Sequence, residues 1–478
     1  MLFNSIEFAL FLPIVFALYW FVFNRNIKLQ NALILVSSYF FYGWWDWRFL
    51  LLISFSTVVD FVVGKQLHKE GIRSKRKLLL WLSLLTNLGL LGFFKYYNFF
   101  IDNFVEAFTF MGRDINILSI SIILPVGISF YTFQTLSYTI DIYRKKNRPT
   151  SDFVAFCAFV SFFPQLVAGP IERATNLLPQ FFEKRKFDYT KAADGLRQIL
   201  WGLFKKVVIA DNCAEFANQI FNNSTSYNGS TLMIGAVFFA FQIYGDFSGY
   251  SDIAIGTSRL FGFNLMRNFN FPYFSRDIAE FWRKWHISLS TWFRDYLYIP
   301  LGGSSGSTSK KIRNTFIVFI VSGFWHGANW TYVVWGLLNA LLFLPLLLSG
   351  KNRNHLDTVS KGQIIPGIRE LSSMGLTFFC TTIAWIFFRA ESLSHAFQYL
   401  SEIFSSSFLS IPEVRPSNIT ILLCLFILME WLGRHNQFAI EKLGLNWKRV
   451  FRYGLYTALS MLILYHSGKD QEFIYFQF

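Results

Sequence analysis

The sequence is poor in charge. Asp, Glu, Lys and Arg make up only 15% of it, where a soluble domain carries nearer a quarter. That shortage argues against an ordinary soluble globular fold. Cysteine is scarce as well, and Cys157, Cys213, Cys380 and Cys424 are scattered. There is no CxxC spacing and no histidine at ligand spacing beside them, so neither a disulfide framework nor a zinc site is expected. HExxH and GxGxxG are missing, which removes the usual signatures of zinc-dependent proteases and dinucleotide sites. The start of the chain lacks a basic n-region, Glu7 stands before the first apolar run, and no small-x-small site follows. The run Phe8–Phe23 is therefore expected as a retained span rather than a cleaved leader.

Apolar residues, by contrast, fill 53% of the chain and aromatic residues 20%, with a mean hydropathy of +0.37. Apolar runs of about 17–25 residues recur, each long enough to cross ~30 Å of hydrocarbon. The expected class is an all-α polytopic membrane protein. Spans are expected at Phe8–Phe23, Leu29–Trp45, Phe49–Gly64, Leu78–Phe94 and Leu118–Ile140. Further spans are expected at Phe316–Leu348 (two, with a short turn), Leu371–Phe388, Ile419–Trp431 and Tyr453–Tyr465. With the runs between, the total is about 11.

The net charge is +15, from 44 Lys+Arg against 29 Asp+Glu. These basic residues fall in loops between apolar runs, where they set topology rather than bind nucleic acid. The loop Lys65–Lys77 holds six Lys/Arg against one Glu, and Arg144–Arg148 is basic again. Basic loops placed inside give an outward N-terminus and a consistent topology as far as Arg148. Beyond it the alternation fails. The apolar run from Ile199 is interrupted by Lys205 and Lys206, and Asn268–Leu301 is too polar to span yet dense in aromatics. Half-helices and re-entrant loops are expected between about residues 160 and 310, because irregular backbone at membrane depth is tolerated when buried in protein or lining a wet cavity. The stretch Gly302–Lys310, GGSSGSTSK, reads as a surface loop. It lacks P-loop spacing, although Lys310, Lys311 and Arg313 could attract a cytosolic anion.

Seven histidines are present. His68, His355, His395 and His435 fall in polar loops or at span ends, and His466 closes the last span. His326 differs, lying inside an apolar run in SGFWHGANW (Ser322–Trp330). Polar groups at that depth are rare, inward-facing and usually functional, a structural hydrogen-bonded histidine being the alternative. Gly323 and Gly327 would let backbone or substrate approach closely, and Trp325 and Trp330 could shape a slot. Asn329, three residues on, would share a helical face with His326. A histidine titrating near neutrality can take a proton from an attacking hydroxyl.

A second candidate is His286, in EFWRKWHISLSTWFRDYLYIPLGG (Glu280–Gly303). Trp282 and His286 are spaced i,i+4, as are Trp292 and Tyr296, with Arg283, Lys284, Arg294 and Asp295 interleaved. Either an interfacial amphipathic helix or the wall of a channel admitting a polar substrate would explain this pattern. In FQIYGDFSGYSDIAIG (Phe241–Gly256), Asp246 and Asp252 interrupt an apolar run. They could orient a ligand, pair with arginine, or cap half-helices beside Gly245 and Gly249.

Five stretches together resemble the membrane-bound O-acyltransferase family, in its bacterial branch that O-acetylates alginate and other envelope polysaccharides. They are GISFYTFQTLSYTIDIYR (Gly127–Arg144), FFPQLVAGPIER (Phe162–Arg173), QIYGDFSGYSDIAIG (Gln242–Gly256), FWRKWHISLSTWFRDYLYIPLGG (Phe281–Gly303) and SGFWHGANWTYVVWG (Ser322–Gly336). The resemblance covers nearly the whole chain. It implies one membrane domain over 1–478, with N-terminal spans at 1–148, a catalytic core with re-entrant helices at 150–345 and C-terminal spans at 346–478. It also implies a ring of spans around a central funnel. His326 matches the family's intramembrane catalytic histidine, and His286 a second polar position. Trp325, Asn329, Arg283, Trp285, Asp246 and Asp295 are expected to line the funnel. No metal or bound cofactor is implied. Acetyl-CoA is the expected donor, and a periplasmic SGNH-type enzyme and a polysaccharide are the expected partners, at the bacterial inner membrane. A D-alanyl transferase acting on teichoic acid, a transporter using His326 as proton relay, and a structural subunit remain the alternatives.

Overall fold

The computed structural model describes residues 1–112, 120, 122–468, 471, 473 and 474. Every regular element among them is helical. They form two compact units, Met1–Tyr189 with Ser258–Met266, and Thr190–Thr257 with Arg267–Phe478.

The first unit contains α1 (Ile6–Ala17), α2 (Ile27–Gly43), α3 (Phe49–Lys69), α4 (Arg73–Leu91), α5 (Tyr97–Phe110), α6 (Ile128–Tyr143), α7 (Phe153–Ser161) and α8 (Ala174–Leu177). Side chains at the chain's polar joints start several of them. Ser5 Oγ accepts from the Phe8 N–H, and Asp152 accepts from the Ala155 N–H, satisfying donors that a helix start leaves open. The unit's interior is partly polar. Asp60 accepts hydrogen bonds from Asn87 Nδ2 (2.8 Å) and Thr139 Oγ1 (3.1 Å), joining α3, α4 and α6. Large apolar side chains such as Phe21, Val36 and Leu85 face outward. That inversion suits hydrocarbon surroundings, where polar contacts hold helices together. The fifth expected span is corrected here: residues 118, 119 and 121 lie outside the described residues, and the helix is α6, starting at Ile128.

The second unit contains α9 (Tyr189–Leu203), α10 (Asp211–Asn222), α11 (Gly229–Leu260), α12 (Ile278–Lys284), α13 (Ile287–Phe293), α14 (Thr308–His326), α15 (Trp330–Leu348), α16 (Ile368–Arg389), α17 (Leu393–Ile403), α18 (Ser417–Gly433) and α19 (Arg449–His466). Helix α11 is its centre: 83% of its apolar window is buried, against 28% for α15. The half-helices expected around Gly245 and Gly249 are not formed, because α11 runs unbroken over 32 residues. Those glycines serve close packing instead. A Cβ on Gly249 would stand 2.8 Å from the Gly202 carbonyl oxygen. Nor do Lys205 and Lys206 break the chain; a π-helical segment, Phe204–Ala210, carries them between α9 and α10. Of the expected irregular region, about 160–310, the polar stretch Asn268–Leu301 holds only elements of three to seven residues, whereas α9, α10 and α11 are regular helices of 15, 12 and 32 residues.

Five helices among the described residues are long and apolar enough to cross a membrane, and Ile6–Val22 and Ser417–Gly433 are shorter apolar ones. Expected spans at α2, α6 and α19 are helices of 17, 16 and 18 residues. The chain is a helical membrane protein.

Candidate active site

Helices α14 and α15 form a tight antiparallel pair. An added Cβ at Gly323 would strike the Tyr332 carbonyl, and one at Gly336 the Phe319 carbonyl. Small residues at these positions let the backbones close. Gly323 and Gly327 thus admit Tyr332, whose ring fills the space beside Gly327. Helix α14 ends at His326, where Gly327 turns extended at φ −164°.

Here the helical face expected for His326 and Asn329 together is not formed. The chain leaves the helix after His326, so the two residues share no helical face. Asn329 caps α15 instead, its Oδ1 accepting from the Thr331 N–H at 2.9 Å and its Nδ2 donating to the Glu391 carbonyl at 3.1 Å.

His326 is buried among aromatic rings. The centroids of Trp325, Trp335 and Phe388 lie at 4.9, 5.2 and 5.2 Å. The ring of His286 lies 6.4 Å away, also buried. His286 packs edge-on against Phe247 of α11 at 4.6 Å and faces Trp325 at 6.1 Å. The two histidines, distant in sequence, thus share one aromatic chamber. Trp285 extends it, packing on Trp385 at 5.0 Å, which stacks on Trp335 at 5.5 Å.

His286 does not reach this chamber by the expected helical face. The helix breaks between α12 and α13, and His286 adopts a left-handed φ of 43°. Trp282 is therefore on a different helix and packs on Trp335 at 5.6 Å. Trp292 and Tyr296 do share a face, with ring centroids 5.0 Å apart. A left-handed non-glycine residue costs roughly 1–2 kcal/mol and persists only where its surroundings hold it. Asn268 supplies the hold. Its main-chain carbonyl accepts from the Ile287 N–H at 2.8 Å. Its side-chain Oδ1 accepts from the Ser288 N–H (3.3 Å) and hydroxyl (2.9 Å), and its Nδ2 donates to Ser251 Oγ at 3.2 Å. Asn268 is fully buried. Sequence reasoning missed it, because an asparagine fastening a kink leaves no periodic signal.

The remaining expected residues lie around the chamber or outside it. Asp246 and Asp252 cap nothing and pair with lysine rather than arginine. Lys206 Nζ lies 2.8 Å from Asp246 Oδ1 and 2.8 Å from Asp211 Oδ1, and Lys205 Nζ lies 2.6 Å from Asp252 Oδ2. Asp246 Oδ2 also accepts from the Ile474 N–H at 2.7 Å. All five side chains are buried, so each charge depends on its partners. Arg283 reaches a loop, its Nη1 and Nη2 donating to the carbonyls of Asn352 and His355, both at 2.7 Å. Asp295 is paired with Arg294 at 2.8 Å. Among the described residues no group of three or more His, Cys, Asp or Glu side chains gathers as a metal site.

The site brings two buried imidazoles within 6.4 Å of each other between ring centroids. Such a pair can move a proton and hold an oxygen. Residues 39–387 match the membrane-bound O-acyltransferase family. A probable alginate O-acetylase, AlgI, of Pseudomonas aeruginosa is 40% identical over 422 residues, covering 88% of this chain and 78% of its own length. Its namesake in Pseudomonas putida is 36% identical over the full length of both. A peptidoglycan O-acetyltransferase of Helicobacter pylori is 33% identical, covering all of this chain and 98% of its own. A teichoic acid D-alanyltransferase of Streptococcus thermophilus is more distant, 30% identical over 52% of this chain. The chain belongs to the membrane-bound O-acyltransferase family.

Proposed function

We propose that this acyltransferase moves an acetyl group from cytosolic acetyl-CoA to a hydroxyl acceptor, serving the O-acetylation of an envelope or exported polysaccharide such as alginate. The observation that carries the reading is the convergence of His326 and His286 in one buried aromatic chamber, in a chain whose relatives bear O-acetyltransferase names.

In the proposed reaction His326 is the general base. Its imidazole nitrogen takes the acceptor's hydroxyl proton as the oxygen attacks the thioester carbonyl. The tetrahedral intermediate collapses, the C–S bond breaks, and the thiolate of CoA leaves and regains the proton from His326. The His286 ring lies 6.4 Å from that of His326 between centroids. His286 holds the acceptor or the carbonyl. Main-chain N–H groups at the Gly327–Asn329 turn serve the oxyanion, since the Asn329 amide is already engaged. The thioester supplies the driving force, and acetyl-CoA is a substrate rather than a resident cofactor.

The chain acts at the bacterial inner membrane. It passes the acetyl group to a periplasmic SGNH-type enzyme, which completes transfer to the sugar. Membranes carrying the chain with that partner, supplied with acetyl-labelled CoA, test this. Label in the polysaccharide fraction supports the reading. Incorporation of labelled D-alanine from a carrier-protein thioester, with none from acetyl-CoA, would replace it with the teichoic-acid reaction.

A further inference from the structure

The second unit carries a large cavity that the proposed reaction does not use. It has a volume of about 710 Å³, is open-sided, and lies among α11, α16 and α18. Phe241, Leu371, Gly375, Phe378, Ile427 and Trp431 form much of its wall. Among its polar groups, Tyr244 and Glu430 are hydrogen-bonded to each other and the Tyr273 hydroxyl donates to the Ala240 carbonyl at 2.6 Å. Helices α11 and α16 are apolar enough to span a membrane, and Leu371 and Leu428 at the rim are more than half exposed. Water has few partners on such a wall. A hydrocarbon chain suits such a wall better than water.

The groove ends at a contrasting site. Phe271 and Phe274 belong both to it and to a polar cavity of about 260 Å³. Arg283, Lys284 and Arg434 line that cavity against Glu280 and Asp357. Lys284 pairs with Glu280 at 2.7 Å and Asp357 with Arg276 at 2.9 Å, whereas Arg283 and Arg434 donate to neutral main-chain carbonyls; the lining itself holds three cations and two carboxylates. Trp431 stands at the junction, its Nε1 donating to the Ile364 carbonyl at 2.7 Å, as interfacial tryptophans do. The adjoining loop holds Lys351, Arg353 and Lys361, which marks a cytoplasmic end, where anionic lipids reside. From Leu371 to Phe378 the groove extends about 10 Å along α16, within one leaflet's ~15 Å.

We propose that these adjoining cavities, which share Phe271 and Phe274, hold one anionic phospholipid of the bilayer, its acyl chain in the apolar groove and its phosphate in the polar cavity. This reading does not depend on the reaction assigned to the histidines.

The test uses the purified full chain, delipidated in detergent and titrated with phosphatidylglycerol or phosphatidylcholine, bound lipid being counted by native mass spectrometry. Wild type should bind one phosphatidylglycerol about fivefold more tightly than phosphatidylcholine, the worth of roughly one net charge. A Cβ on Gly375 meets nothing within 4 Å, so Gly375→Trp should fill the groove and weaken both lipids at least tenfold. Lys284→Gln should abolish the headgroup preference and spare phosphatidylcholine binding. Gly375→Leu gives the same reading if the tryptophan variant fails to fold. Equal affinity for both lipids in wild type, or unchanged binding in a folded Gly375 variant, overturns the proposal. So does displacement of the lipid by free coenzyme A, which would give the polar cavity to a soluble anion.

Discussion

Asn268→Ala should damage the active site without touching either histidine. The side chain makes three buried hydrogen bonds, to the Ser288 N–H, the Ser288 hydroxyl and Ser251 Oγ. Each is worth about 1 kcal/mol net, and the stranded Ser288 N–H adds a cost of about 1–3 kcal/mol. The serine hydroxyls can turn to other partners, and the bond to the Ser288 N–H is long, so the total should be roughly 2–3 kcal/mol. The bonds also oppose the roughly 1–2 kcal/mol that favours moving His286 out of its left-handed conformation. Once they are gone, that residue can relax and carry its ring with it. A displacement near 1 Å costs about 10²-fold in rate. The assay pairs thermal unfolding of the purified protein with acetyl transfer at a temperature where the variant remains folded. Asn268→Asp, which keeps the acceptor for Ser288, should recover part of both losses. A variant that melts early yet transfers at the wild-type rate would refute the claim that Asn268 positions His286.

Other consequences follow from the same geometry. Lys206→Met leaves Asp246 and Asp211 buried beside each other and should cost about 3–5 kcal/mol, read as lost membrane expression; adding Asp246→Asn should restore part of it. Asn329→Ala should lower stability by about 0.5–2 kcal/mol through loss of the α15 cap; a rate loss above tenfold in the folded variant would return Asn329 to the reaction. Gly323→Ala pushes against the Tyr332 carbonyl and should destabilise by about 1–3 kcal/mol while raising KM or lowering kcat through His326. A hydrogen bond from Arg276 holds the Asp357 carboxyl below its ordinary value. Its contribution to loop order is therefore present above the unfolded carboxylate pKa and lost as pH falls through the lower folded value. Limited proteolysis of the 351–367 loop should be slow at neutral pH and quicken only in that acid range, whereas Asp357→Asn should be cleaved quickly at both.

How far the sequence showed this in advance depends on what kind of signal each residue leaves. His326 was legible because an ionisable side chain between tryptophans in an apolar run has few explanations. The turn after it was legible only in part. Reading Asn329 on the same face assumed a helix through Gly327, where the backbone extends. The meeting of His286 with His326 depends on a left-handed kink fastened by Asn268, a tertiary arrangement no periodicity encodes. Asp246 and Asp252 were visible as intruders in an apolar run, but their partners Lys205 and Lys206 lie on another segment. Gly245 and Gly249 read as breaks because glycine weakens helices, whereas packing against the Phe204–Ala210 segment and Gly202 keeps α11 whole.

The central claim is that His326 takes the proton in acetyl transfer. The direct measurement is label passing from acetyl-CoA into the polysaccharide fraction, in membranes carrying wild type or His326→Ala at equal expression. Loss of a general base should slow transfer by about 10²–10⁴-fold. A fall of less than tenfold, with the variant folded, would contradict the account and leave His326 a structural residue of the chamber.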